Sequence, residues 1–305
     1  MRRPPSLGPA TGALLALVVL NALFTPGFAS AGNLWNVLLQ VAEVLLVAVG
    51  MTLVIATGGI DLSVGSTMAV AGAVAAVTLD RGTVVAVGLA LAAAVGIGVA
   101  NGALVARARV QPIVVTLATL IAGRGLAQVL DDGALVGIGD PAFLALGRGH
   151  LGPVPVQVLL ALAAAAAVAF ALRSTAFGRY VLAAGGNAPA ARLAGVPVAR
   201  TLVTVYAACG LLAGVAGVVT AARLGASDAA KIGLNVELDA IAAAVVGGTA
   251  LQGGRATVFG TVLGALVMQV IATSFNMLLI PYALSLVLKA GIILAAVYTQ
   301  RRRRV

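Results

Sequence analysis

Charge is the first thing this chain lacks. Only 9% of its 305 residues are charged, where an ordinary soluble domain carries about 25%. Hydrophobic residues make up 61%, and the mean hydropathy is +1.12. Water cannot be the solvent for most of such a surface. The single cysteine, Cys209, excludes an internal disulfide and a thiolate metal cluster, and its apolar surroundings suit a small packed residue. The single histidine, His150, falls in a loop, which excludes a histidine-based metal or catalytic pair within the chain. There is also no G-x-x-x-x-G-K-[ST]: the two lysines stand in "AKI" and "LKA", so no phosphate-binding loop of that type exists and any use of ATP must belong to a partner.

The net charge is +10, yet there is no lysine-rich arm and no basic stripe interleaved with aromatics, so nucleic acid is not the partner that it implies. The arginines lie instead at the ends of apolar blocks. These blocks, each close to the roughly 17–25 residues that cross a bilayer, predict ten spans: 8–25, 34–57, 62–79, 83–106, 110–130, 153–172, 201–222, 238–253, 256–275 and 281–299. The expected fold is therefore all-α, a single transmembrane domain over 1–305. "MRRPP", the apolar core from Leu14 to Leu23 and "FASAG" imitate a secretory signal, but the same residues serve as a retained first span.

With the N-terminus inside, the inner segments collect Arg2, Arg3, Arg107, Arg109, Arg173, Arg179, Arg192, Arg200, Arg255 and Arg301 to Arg304. The outer segments collect only Arg81, Arg148, Arg223 and Lys231. That asymmetry obeys the positive-inside rule, and an even number of spans returns the C-terminus to the cytoplasm. The outer segment 131–152, rich in glycine and with little periodicity, is expected to be an irregular periplasmic loop. The inner segment 173–200 is too polar to span; within it Asn187 is placed to cap a short helix, Ala188 to Leu193, which Gly195 and Pro197 stop. Small-residue runs such as "GLLAGVAGVV" at 210–219 predict closely packed helices.

Two breaks stand out: "ATGGIDLSVGS" around Gly58 and Gly59, and "VGGTALQGGR" around Gly247 and Gly248. Backbone interrupted at membrane depth costs several kcal/mol per unpaired group unless protein or a wet cavity satisfies it. Paired interruptions point to a transporter built from repeats. Each break follows an apolar span and precedes a small-residue helix, and the two are read as equivalent. Asp61 then has two readings: an N-cap for a helix opening at Leu62, or a group on the solute path. Glu43, near the middle of the second span, would as a lone charge cost from about 3 to over 10 kcal/mol. Arg124 is its natural partner, and the pair is either structural or part of the path lining. Lys289 should face the protein interior, while Glu237 and Asp239 open the eighth span as first-turn acids behind Asn235.

Three long motifs carry a resemblance: "GMTLVIATGGIDLSVGS" (50–66), "FGRYVLAAGGNAPAARLAGV" (177–196) and "ELDAIAAAVVGGTALQGGRATVFGTVLGALV" (237–267). In this order they resemble the inner-membrane permeases of ribose-type ATP-binding-cassette sugar importers, with "IATGGIDLSVG" and "QPIVVTLATLIAGRGLAQ" (111–128) similar to galactofuranose permeases. The resemblance implies a permease subunit of the bacterial plasma membrane. It would work with a second permease, a pair of ATPase subunits that hold ATP and magnesium, and a periplasmic solute-binding protein; this chain itself would bind no cofactor.

By the same resemblance Gly186, Asn187, Ala191, Arg192 and Gly195 match the cytoplasmic coupling segment. Gly58, Gly59, Asp61 and Ser63 match the first signature, and Glu237, Asp239, Gly247, Gly248, Gly253 and Gly254 the last. Pro189 stands where the motif often has an acidic or small residue, and proline is tolerated in a first helical turn. With one tryptophan and four tyrosines there is little to stack on sugar rings, which places specificity in the binding protein. The rival reading is an ion-coupled secondary transporter using Glu43, Asp61 or Lys289. A membrane-embedded enzyme has no nucleophile elbow or histidine cluster to support it.

Overall fold

A computed structural model describes residues 8–294 apart from Tyr282, Ser285 and Ile293. The helices run in the order α1 (Gly8–Phe24), α2 (Ala31–Ala56), α3 (Val64–Val77), α4 (Thr83–Ala106), α5 (Pro112–Leu130), α6 (Pro141–Arg148), α7 (Val156–Ser174), α8 (Ala176–Gly186), α9 (Ala188–Leu193), α10 (Val198–Leu224), α11 (Val236–Val246) and α12 (Val258–Met277). The described residues over 283–294 are helical as well. Six helices, α2, α4, α5, α7, α10 and α12, are long and apolar enough to cross a membrane, and α1 and α3 are shorter apolar helices. The chain is an all-α polytopic membrane protein.

A helix lies in each of the ten expected spans, but α3 and α11 have only 14 and 11 residues. At 1.5 Å per residue these are about 21 and 17 Å long, short of the roughly 30 Å of a hydrocarbon core. Both are cut short at the predicted breaks. Residues 295–299 of the last span and the terminal arginines 2, 3 and 301–304 lie outside the described residues.

An apolar helix with no polar face must be enclosed, and α2 is. From Leu45 to Ala56 every side chain of α2 is buried, against α10, α11, α7 and α12. Its first turns differ, with Leu34, Trp35 and Leu38 exposed. A second hub is α10, packed on α4, α2 and α3. A Cβ at Gly210 would stand 2.5 Å from the carbonyl oxygen of Ala94 in α4, so the small-residue stripe is what lets these two backbones meet.

One expectation about the connections changes. Segment 131–152 is not wholly irregular: α6 lies in it, started by Asp140, whose carboxylate accepts the Phe143 N–H, with Pro141 at the first helical position. The "DP" pair was the legible signal. The Thr83 hydroxyl also donates to Asp140, at 2.7 Å, and these two donors hold its carboxyl below its ordinary pKa. Strand β1 (Val136–Gly137) pairs antiparallel with a later strand, β4 (Ala226–Ser227), and β2 (His150–Leu151) pairs with β3 (Val154–Pro155). Beyond β4, segment 228–235 turns back into the bundle without forming a helix, burying Ala229 and Ile232 against α3 and α5.

Candidate functional site

Both breaks are built from the same cap. At the end of α2 the Gly58 N–H donates to the Ile55 carbonyl (2.9 Å) and the Gly59 N–H to the Val54 carbonyl (3.2 Å). At the end of α11 the Gly248 N–H donates to the Val245 carbonyl (2.9 Å) and the Thr249 N–H to the Ala244 carbonyl (3.0 Å). Each is a Schellman motif, whose penultimate position must be left-handed. Gly58 supplies φ +82° and Gly248 φ +92°, which is why a glycine stands there in each break. The equivalence read from the sequence is thus one of hydrogen bonds as well as of position.

The two breaks touch. The Gly254 N–H of the second donates to the Ala56 carbonyl of the first at 2.9 Å, so the second segment satisfies a group that the end of α2 leaves open. Within the second, the Thr257 hydroxyl donates to the Gly247 carbonyl (2.7 Å) and its N–H to the Thr249 hydroxyl (3.2 Å). Across to the hub helix, Thr52 and Thr261 share a 2.7 Å hydrogen bond between α2 and α12.

The expected coupling segment meets both breaks. Asn187 caps α9 by accepting the Ala190 N–H (3.0 Å), and the helix spans Ala188–Leu193 as the sequence predicts. A third Schellman motif ends it, with Gly195 at φ +80° and Val196 donating to Ala191. Ala191 is buried with Ala184 and Val198, whereas Leu193 is 92% exposed. Just ahead of α9, Gly185 lies between the breaks: a Cβ on it would overlap the Ala56 carbonyl oxygen and come within 2.7 Å of the Gly254 nitrogen. Gly186 stands against the Gly254 Cα. Gly185 was not singled out from the sequence; it lies in the same "AAGGN" as Gly186, but nothing local marks a three-way contact.

Asp61 is not the N-cap of α3, which opens at Val64 with Ser63 in that position and without a side-chain cap. Its carboxylate accepts the Ser63 N–H (2.9 Å) and hydroxyl (2.6 Å) instead, closing the turn before the helix. From there a buried chain of hydrogen bonds runs outward. The Asn101 amide donates to the Ser63 hydroxyl (2.9 Å), and the Thr119 hydroxyl donates to Asn101 (2.6 Å), tying the first break to α4 and α5. Tyr206 of α10, fully buried, sets its hydroxyl against Gly59 with no hydrogen-bond partner among the described residues. Asn101, a lone amide in an apolar span, was the signal for this network.

The expected pairing of Glu43 with Arg124 is corrected. Glu43 is bound to Arg223 at the end of α10, and the middle of an apolar run is not the middle of the bundle: α10 ends at its level. Arg124 is used otherwise. Its guanidinium donates to the carbonyls of Ala229 (2.6 Å) and Ile232 (2.7 Å), which segment 228–235, being non-helical, cannot pair internally. Lys289 faces inward as expected, 7% exposed, with its ammonium 2.7 and 2.9 Å from the two oxygens of Asp239 in the first turn of α11. Glu237, in the same turn, has a carboxylate oxygen beside Gly65. No group of metal-ligating residues occurs among the described residues.

Against known proteins, residues 33–297 match the family described as branched-chain amino acid transport system / permease component. The ribose import permease protein RbsC of Escherichia coli (strain K12) is 39% identical over 298 residues, covering 96% of this chain and 92% of the relative. RbsC of Bacillus subtilis (strain 168) is 38% identical, covering 97% and 93%. The galactofuranose transporter permease protein YtfT of Escherichia coli (strain K12) is also 38% identical, covering 99% and 91%. No solved structure matches the chain. On a family match across most of its length and on relatives alike from end to end, the chain belongs to the branched-chain amino acid transport system / permease component family.

Proposed function

We infer that this protein is the transmembrane permease subunit of an ATP-binding-cassette importer, carrying a monosaccharide of the ribose or galactofuranose type across the bacterial plasma membrane. It is a transport subunit rather than an enzyme: separate ATPase subunits hold ATP and magnesium, a periplasmic binding protein delivers the sugar, and a second permease completes the pair. The nearly equal identities to ribose and galactofuranose permeases support the substrate class.

One observation carries the mechanism. The capped helix α9, with Leu193 exposed for a partner, is joined through Gly185 and Gly186 to the point where both unwound segments meet. Approach of two ATPases beneath α9 would displace this junction, and with it the ends of α2 and α11, rocking the pair between outward and inward access. An ion-coupled carrier finds less support, since Glu43 and Lys289 are taken up in ion pairs and Asp61 is engaged by the Ser63 N–H and hydroxyl. In this reading the α9 end is cytoplasmic, as are both termini, and the α6 end is periplasmic.

The test is ATP-driven uptake of D-ribose or D-galactose in liposomes that contain permease, ATPase and binding protein. Leu193→Asp and Asn187→Ala are expected to abolish and to reduce uptake while the permease stays folded. Uptake unchanged by both would sink the coupling assignment, and uptake driven by an ion gradient without ATPase would favour the carrier.

A further inference from the structure

At the α6 end of the bundle a hollow of about 260 Å³ lies between the end of α5 and the start of segment 228–235, lined by Gln128, Gly133, Ala134, Asp228, Ala229 and Ala230. That is just under the 300–1,000 Å³ typical of sites for larger ligands. Its chemistry is mixed. The Gln128 carbonyl oxygen accepts the Gly133 N–H (2.8 Å), shaping the turn, while the Gln128 carboxamide is bonded to nothing among the described residues and so offers two donors and an acceptor. Asp228 accepts the N–H groups of Ala230 (3.1 Å) and Lys231 (3.2 Å) with one oxygen, and its other oxygen stands 3.3 Å from the exposed Lys231 ammonium. A carboxylate has about four acceptor directions, so capacity remains.

We propose that this hollow is a binding site for a neutral polyhydroxylated solute, a monosaccharide, at the outer mouth of the permease; it rests on the reading of the chain as a sugar importer. The Gln128 carboxamide and the partly used Asp228 carboxylate, both in the lining of the hollow, supply the donors and acceptors that vicinal hydroxyls need. Asp228, the one acid of the lining, already stands beside a lysine and is a poor cation site; nearby Asp131 is engaged by the Ser227 hydroxyl (2.8 Å), and the ammonium of Lys231 at the rim points into water. The floor of the hollow is Ala229, whose carbonyl Arg124 grips from the other side. Solute bound to Asp228 therefore acts on the same unwound segment that Arg124 holds in the bundle, so its occupancy is linked to the position of that segment.

The assembled importer bearing Ala134→Cys tests this, because the native Cys209 is fully buried. D-ribose, L-arabinose or D-galactose, whichever the preparation imports, is added at millimolar concentration while maleimide labelling of the new thiol is timed. Labelling should slow about fivefold when the sugar stands at about four times its Kd. Gln128→Leu should remove that protection while leaving the unliganded labelling rate as it was. An imported sugar that gives no protection, or protection that survives Gln128→Leu, overturns the site. A wild-type assembly that imports none of the three overturns the permease reading on which the site rests.

Discussion

Asp239 and Lys289 form the most enclosed ion pair of the fold among the described residues, with side chains 20% and 9% exposed. A buried pair contributes little over well-packed apolar groups, but breaking it strands a charge, at about 3–5 kcal/mol. Lys289→Met is therefore expected to lower the thermal midpoint of the detergent-solubilised protein by that much stability, and adding Asp239→Asn should recover most of the loss. An additive double variant would show that the two groups do not act as a pair. Asp61 differs in kind, since what it holds is the Ser63 N–H and hydroxyl rather than a cation. Asp61→Asn keeps an acceptor and should stay folded, whereas Asp61→Ala leaves those donors unmade at about 1–3 kcal/mol. Urea or thermal melts of the two variants separate the outcomes.

At the scale of elements, three helix ends, those of α2, α9 and α11, finish in the same left-handed glycine cap. Replacing Gly58 or Gly248 with alanine forces an L-residue into that conformation, about 1–2 kcal/mol each. Gly185→Ala has a different consequence, because its Cβ meets backbone of both breaks at once and backbone cannot rotate away. We expect Gly58→Ala to be a milder loss of stability with residual uptake, and Gly185→Ala to abolish ATP-driven uptake; normal uptake by Gly185→Ala would separate the junction from transport. The caps were legible because their chemistry is local: Asn187, Pro189 and Gly195 fix α9 within nine residues, and each Gly-Gly pair announces a stop. What touches across the chain was not. Glu43 and Arg223 are 180 positions apart, Arg124 and Ala229 105, and neither distance leaves a trace in periodicity. Segment 228–235 was hidden for a related reason, since its buried carbonyls are satisfied by an arginine on another helix rather than by its own residues.

For the whole molecule, the proposed orientation rests on charge rather than on contacts. With thirteen arginines on the segments proposed to be inner and four basic residues on those proposed to be outer, the anionic inner leaflet and the difficulty of translocating arginine would hold the chain in that sense. In the proposed orientation the α9 end would face the ATPases, and the α6 end, with the β1–β4 pair and the hollow at Gln128, would face the binding protein. Leu193, the last residue of α9 and 92% exposed, and Leu151, 71% exposed beyond α6, stand at these two ends. Replaced one at a time by cysteine in intact spheroplasts, Leu151→Cys should react with a membrane-impermeant maleimide and Leu193→Cys only after the membrane is opened. The enclosed Cys209 should stay silent in both. If the two new thiols react from the same face, then α9 and α6 do not lie on opposite sides of the bilayer. In that case the junction of the breaks cannot relay an event at the cytoplasmic ATPases to a mouth on the other side.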